Sequence, residues 1–332
     1  MIPAAAQRFA PYVATLGRGP GRSRALTREE ARAAFAMVLA GEPDPHQVGA
    51  FLMLLRYRGE DADEISGLVE AARDAPGFRG ELVADLDWPS YGAGRTRAAP
   101  WFLLSALALA RAGVRVLMHG GNAFSTGLSV AGGLQALGLR PAASVADAAR
   151  ALAVTRFAYL PIGVLRPELE RLLELRHLFG LRSPVNTVAR LLDPARAEAG
   201  VDGVFHPAYL DVHMGVAERM ARPRLLVLKG GGGEAERNPA KPAALHVWSR
   251  EHGRTELLCP PFIVAPGEVD PPDEAGLFAA VWHGKALPAR PLATIQATIA
   301  IALLATGQAA SPELADAEAG RIWAARLSLK ER

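Results

Sequence analysis

From Leu82 onward the sequence repeats one unit: a short apolar run, a turn, then a segment of helical period. The runs "VRVLM" (114–118), "FAYLP" (157–161), "VDGVF" (201–205), "RLLVLKG" (224–230) and "ALHVWS" (244–249) read as strands, as does Leu86–Trp88. Helical segments fill about 98–112, 129–138, 145–153, 208–221, 274–283, 292–306 and 312–326. Strands that alternate with helices cannot form simple hairpins. They predict a mostly parallel sheet covered by helices on both faces.

The chain ahead of Leu82 has a different character. Thr27 with Glu30, Asp44 with Pro45 and Gln47, and Asp61 with Glu64 mark three helix starts. Each side chain would satisfy amides that lack intrahelical partners. Apolar residues follow at three-to-four spacing: Phe35, Val38 and Leu39; Val48, Phe51, Leu52 and Leu55; Ile65, Leu68 and Val69. Segment 167–194 returns to this helical character. The expected fold class is therefore α/β, with a small discontinuous helical domain (1–80 and about 165–200) and a larger α/β domain (about 81–164 and 201–332). Residues 1–25 read as a basic leader. The first 28 residues hold Arg8, Arg18, Arg22, Arg24 and Arg28 and no acid, which suits a solvated leader or a nucleic-acid arm.

Half of the 332 residues are hydrophobic, ample for a large core. A net charge of +3 permits polyanion binding without requiring it. Of 37 basic residues only four are lysines, and planar arginine forks suit phosphate. The single cysteine, Cys259, excludes an internal disulfide and reads as a core thiol. The apolar segments around Phe102–Ala110 and Leu292–Ala305 are too short to span a bilayer, so a cytoplasmic protein without membrane partners is expected.

Three strand ends carry glycines: "SYGAGR" after β-run 86–88, "HGGN" after 114–118 and "KGGGGEAER" after 225–228. In a parallel sheet all three face one edge, where helix N-termini and bare amides bind anions. None is a P-loop, which needs Gly-Lys-Ser/Thr, and "GAGRTR" stops short of the dinucleotide fingerprint. A second cluster holds Arg176, His177, Arg182, Asn186 and Arg190. Segment 151–196 carries seven arginines against four acids, a basic wall or a solvated face. Leu175, Leu178, Phe179 and Leu181 are expected to bury its opposite side. His206, Asp211 and His213 lack a third metal ligand at suitable spacing and read as solvated loop residues. "GLS" (127–129) is no nucleophile elbow.

Three stretches together, 26–73, 116–139 and 175–194, resemble anthranilate phosphoribosyltransferase and its relatives, the class II nucleoside phosphorylases. The resemblance implies a cleft between the two domains as the active site and a homodimer joined through the helical domain. It places the donor loop of the family on "YGAGR". Gly92 and Gly94 match, while the acid is replaced by Arg95 and the following polar residues by "TRAAP", with Arg97. In the next motif the lysine becomes Met118, His119 and Gly120 match, and Asn122, Ser125 and Thr126 follow. The magnesium-holding Asp-Glu pair falls on Ala235 and Glu236. Arg176 matches the acceptor-binding arginine, and Arg182 and Asn186 match as well.

This altered pattern is similar to the YbiB-type branch, which implies sequence-independent binding of single- or double-stranded nucleic acid. In that reading Gly92, Gly94, Arg95, Arg97, His119, Gly120, Asn122, Ser125, Thr126, Arg176, Arg182, Asn186, Lys229, Gly230 and Gly231 contact phosphates, and no cofactor is expected. The alternative is an active glycosyl or phosphoribosyl transferase with a phosphoribosyl diphosphate-type donor. Ser125 and Thr126 would then hold phosphate and Glu236 would bind Mg²⁺.

Overall fold

The computed structural model describes residues 3–75, 78, 80–92, 99–121, 127–263 and 275–327. Four helices precede the first strand: α1 (Ala4–Gly17), α2 (Arg28–Leu39), α3 (Pro45–Arg58) and α4 (Ala62–Arg73). The starts of α2, α3 and α4 are capping boxes on Thr27/Glu30, Asp44/Gln47 and Asp61/Glu64, as the spacing predicts. Their inner faces meet through Phe35, Phe51, Leu52, Leu55, Ile65 and Leu68, each at most 1% exposed.

The leader is not a loose arm. Residues 4–17 form α1, whose Phe9 and Leu16 are buried in the same core, with Phe9 edge-on to Phe51 at 5.4 Å between ring centroids. Arg8 pairs with Glu42, Arg24 with Glu30 and Arg28 with Glu70, so acids of the bundle neutralise three of its arginines. The net positive charge of the first 28 residues hid the helical spacing of Ala6, Phe9 and Leu16.

The strands are β1 (Leu86–Ser90), β2 (Val116–Gly120), β3 (Phe157–Pro161), β4 (Ala199–Val204), β5 (Arg224–Lys229), β6 (Ala243–Ser249) and β7 (Gly253–Cys259). Among the described residues they form one sheet in the order β3-β2-β1-β4-β5-β6-β7. The first five in that order are parallel, and β6 and β7 add antiparallel at one edge. β7 was not expected from the sequence, because "GRTELLC" mixes polar and apolar residues as an exposed edge strand does.

The remaining helices are α5 (Trp101–Arg111), α6 (Val130–Ala136), α7 (Val145–Thr155), α8 (Ile162–Leu165), α9 (Pro167–Glu174), α10 (Arg176–Phe179), α11 (Val185–Arg190), α12 (Ala208–Arg219), α13 (Ala275–Trp282), α14 (Ala289–Thr306) and α15 (Pro312–Ala325). α5 and α14 pack with α15 on one face of the sheet. α14 is 18 residues long and apolar, but 72% of it is buried, as a core helix is. α11 returns to pack on α4, so the helical domain is discontinuous as expected.

Side chains alternate across a strand, so each strand serves both faces. Leu86, Trp88, Val116, Met118, Val201, Leu226 and Leu228 face α5 and α14 in an unbroken apolar layer. The other face, toward α4 and α12, includes Leu117, Val204, Leu225 and Val227 but also three buried polar groups: Asp87, His119 and Asp202. Asp87 lies 3.2 Å from both His119 Nε2 and Arg222 Nη2. Arg222 reaches Asp193 at 3.4 Å, and Arg73 of α4 reaches the same carboxylate at 3.5 Å. An ionic chain therefore joins the helical domain to the centre of the sheet.

Burial alone would push the Asp87 carboxyl up, but His119 and Arg222 outweigh it and hold it below its ordinary value of 3.8. The stability this supplies is complete above that value and is lost as pH falls through the lower folded-state value. Asp87→Asn should flatten the acid limb of a urea-denaturation series between pH 7 and pH 3. At pH 7, Asp87→Ala should cost about 3–5 kcal/mol, because it leaves Arg222 buried with one partner fewer. Thr27→Ala should cost about 1 kcal/mol through loss of the α2 cap.

Candidate functional site

The carboxyl ends of β1, β2, β4 and β5 lie along one edge of the sheet, beneath the helical domain. Backbone approach is tight there. A Cβ on Gly120 would lie 1.7 Å from the Ser90 carbonyl oxygen, and one on Gly230 1.7 Å from the Glu234 oxygen. These glycines are required by packing between strand ends. Amides at these turns are also engaged: Gly230 donates to Val204 O at 3.0 Å, and the neighbouring Gly121 and Gly233 to Ser90 O at 3.1 Å and Gly230 O at 3.0 Å. The expectation that Gly230 offers a bare amide to phosphate is corrected accordingly, and Gly120 serves the close approach of β1 and β2. Gly231 opens a short 3₁₀ turn, Gly231–Gly233, and has open space above it.

Other expected residues scatter. His119 is fully buried, with Tyr91 Oη at 3.0 Å from Nδ1 and Asp87 opposite, so it props the start of the β1 turn from inside the sheet instead of meeting phosphate. Lys229 is exposed at the end of β5. Gly92 is described and buried. Gly94, Arg95, Arg97, Asn122, Ser125 and Thr126 lie outside the described residues. Glu236 accepts a 3.0 Å hydrogen bond from the Phe102 amide, so its carboxylate caps the first turn of α5.

The second cluster does converge. Arg176 and Arg182 line a cavity of about 370 Å³ between the helical domain and the sheet edge, with Asn186 on its wall. Arg56 of α3 and Arg190 of α11 bring two more guanidiniums to it, and Tyr209 and His213 of α12 close the far side. Burial, and after it the neighbouring guanidiniums of Arg176, Arg190 and Arg56, hold Arg182 below the ordinary arginine value. Such crowding of like charge is relieved when an anion binds. Arg56 donates to the Tyr209 hydroxyl, which donates to Glu60 at 3.3 Å, so this arginine is oriented by α12. The Asn186 side chain accepts from the Ser183 amide at 3.3 Å and shapes the turn before α11.

Two expectations about this region change. Leu178 and Leu181 are 82% and 58% exposed instead of buried, since α10 is a single turn that projects from the helical domain. His213 is no solvated loop residue. It sits on the inner face of α12, 2% exposed, with Nδ1 2.6 Å from Asp202 Oδ2. Asp202 also accepts from the Gly203 amide at 2.8 Å and from Arg190 at 3.4 Å. Arg190 in turn lies 3.9 Å from buried Glu234 and donates to the Tyr91 carbonyl at 3.4 Å. A signal for this group was present in the sequence: Asp202 stands inside an apolar strand, where an unpaired carboxylate would be prohibitive.

The chain matches two family models, the helical bundle domain of the glycosyl transferase family over residues 10–75 and its α/β domain over residues 102–260. Anthranilate phosphoribosyltransferase of Methylobacterium radiotolerans is 31% identical, over 96% of this chain and 95% of that one. The enzyme of Azorhizobium caulinodans is 30% identical, over 92% and 89%. Among solved structures, anthranilate phosphoribosyltransferase from Thermus thermophilus shares the fold with a TM-score of 0.77 at 24% identity, covering 97% of this chain and 95% of that chain. The Saccharomyces cerevisiae protein in complex with PRPP and Mg does so with a TM-score of 0.75 at 15% identity, covering 98% and 96%. With both of its domains matched and relatives aligned along nearly its whole length, the chain belongs to the glycosyl transferase family, among the anthranilate phosphoribosyltransferase-like proteins.

Proposed function

We propose that the protein is a phosphoribosyl or related glycosyl transferase whose acceptor is a small amine carrying an anionic group. The observation that carries this reading is the cavity between the two domains, walled by Arg56, Arg176, Arg182 and Arg190. Its size suits one small molecule. Guanidinium forks bind a carboxylate or phosphate in fixed geometry, which holds the amine toward the sheet edge where the donor sugar would lie. A phosphoribosyl diphosphate-type donor is the reading that similarity to anthranilate phosphoribosyltransferases favours.

The residues at the family's magnesium-holding pair do not fit that role. Ala235 has no side-chain ligand atom, and one oxygen of the Glu236 carboxylate accepts from the α5 amide of Phe102. Magnesium wants several hard oxygens, so no step is assigned to a metal held there.

Nucleic-acid binding, the first expectation from the sequence, is the second reading. The same four arginines favour it. Two observations weigh against it: the arginines enclose a cavity instead of forming a track, and Arg8, Arg24 and Arg28 are matched with acids.

One experiment separates the two readings. Release of diphosphate from phosphoribosyl diphosphate is followed with anthranilate and its aminobenzoate isomers as acceptors, with and without magnesium, beside titrations of single- and double-stranded DNA at two salt concentrations. Acceptor-dependent release is expected. No release, together with DNA affinity that falls steeply with salt, would establish the second reading. Arg182→Ala should weaken acceptor binding by about tenfold to a hundredfold, the range for a lost charged hydrogen bond, with the folded structure retained.

We also propose a homodimer through the helical domain. Tyr57, Leu178 and Leu181 are 90%, 82% and 58% exposed there, an apolar surface that association would cover. Sedimentation velocity should show a dimer for the native chain and a monomer for Tyr57→Glu with Leu178→Glu.

A further inference from the structure

The Asp202–His213 pair has no role in holding an anion, yet it reaches the acceptor cavity. An ionised carboxylate only accepts, so the 2.6 Å contact requires the proton of His213 to reside on Nδ1. Asp202 is itself held by the Gly203 amide and by Arg190, so the ring cannot turn away without breaking its buried hydrogen bond to that carboxylate. In the neutral ring Nε2 is then left with a lone pair. It makes no hydrogen bond among the described residues, and His213 lines the same cavity as Arg176 and Arg182. A buried imidazole with one nitrogen fixed by a carboxylate and the other turned to a substrate cavity is the arrangement of a proton acceptor.

We infer that His213 is a catalytic general base for the acceptor amine and that Asp202 is its positioning residue. This role rests on the transferase reading. As the amine nitrogen forms its bond to the anomeric carbon of the phosphoribosyl donor, the bond from that carbon to the diphosphate oxygen breaks, and diphosphate leaves with the electron pair. The nitrogen becomes positively charged and loses one proton to Nε2 of His213. The imidazolium formed is stabilised by Asp202, and its proton then passes to solvent through the cavity mouth. The anionic group of the acceptor, held by the guanidiniums, sets the distance between the amine and Nε2.

The test has two parts. Long-range ¹⁵N–¹H spectra of the histidine-labelled full chain should show an Nδ1–H tautomer signal that His213→Gln removes, distinct from that of His46, whose Nδ1 also faces a carboxylate, Asp44. An Nε2–H tautomer for His213 would overturn the assignment whatever the activity. In the diphosphate-release assay with anthranilate and the aminobenzoate isomers, His213→Gln should lower kcat by about 10²- to 10⁴-fold with KM nearly unchanged. Asp202→Asn should lower kcat as well and shift the tautomer signal. Unchanged kcat in His213→Gln, with the native chain active, would overturn the base alone. An inactive native chain would overturn both the base and the transferase reading. If His213→Gln does not fold, the tautomer measured on the native chain still decides.

Discussion

The structure depends on a line of buried charge that runs across the sheet from the helical domain. Arg73 of α4, Asp193, Arg222, Asp87 and His119 follow one another at ion-pair distance, and Tyr91 ends the line at the mouth of the β1 turn. Each of these groups loses hydration on burial, and none is tolerable there without its neighbours. The line therefore fixes relative position more than it adds stability. α4 cannot shift on the sheet, and the β1 turn cannot move from β2, without exposing an uncompensated charge to an apolar surrounding. An apolar contact would be less selective, because it would survive a slide of one residue.

A second polar line starts where the first ends. Arg190 touches the Tyr91 carbonyl, Asp202 and Glu234, and Asp202 holds His213. Both lines arise on the same face of the sheet, because Asp87, His119 and Asp202 share one parity along their strands. The opposite face is apolar throughout and buries α5 and α14. The sheet thus has one face for stability and one for placing charged groups beneath the helical domain. The arginine-walled cavity opens on the second face, where the low dielectric strengthens each guanidinium's attraction for an anion.

The helices and strands were largely legible in the sequence, because each depends on local signals. The capping residues Thr27, Asp44 and Asp61 and the run Phe157–Pro161 stand where their patterns placed them. Failures came where a local signal was outweighed by a distant partner. The basic charge of the leader suggested a solvated leader or an arm, but Glu42, Glu30 and Glu70 pair with three of its arginines and Phe9 anchors it. The glycine turns suggested open anion cradles, whereas Gly120 and Gly230 are needed for backbones that nearly touch. Glu236, a magnesium ligand only under the transferase alternative, turns out to accept the Phe102 amide at the start of α5.

By itself the sequence determined the fold class, the discontinuous helical domain and the arginine-rich segment 176–190. Periodicity and capping act over a few residues, and an alternation of strands and helices leaves few topologies. Tertiary structure alone decided which of these arginines meet, because Arg56 comes from a helix more than a hundred residues earlier. It also decided that His213 faces Asp202. That contact spans one βα unit and depends on strand parity and on the rotation of α12, which no spacing within either segment encodes.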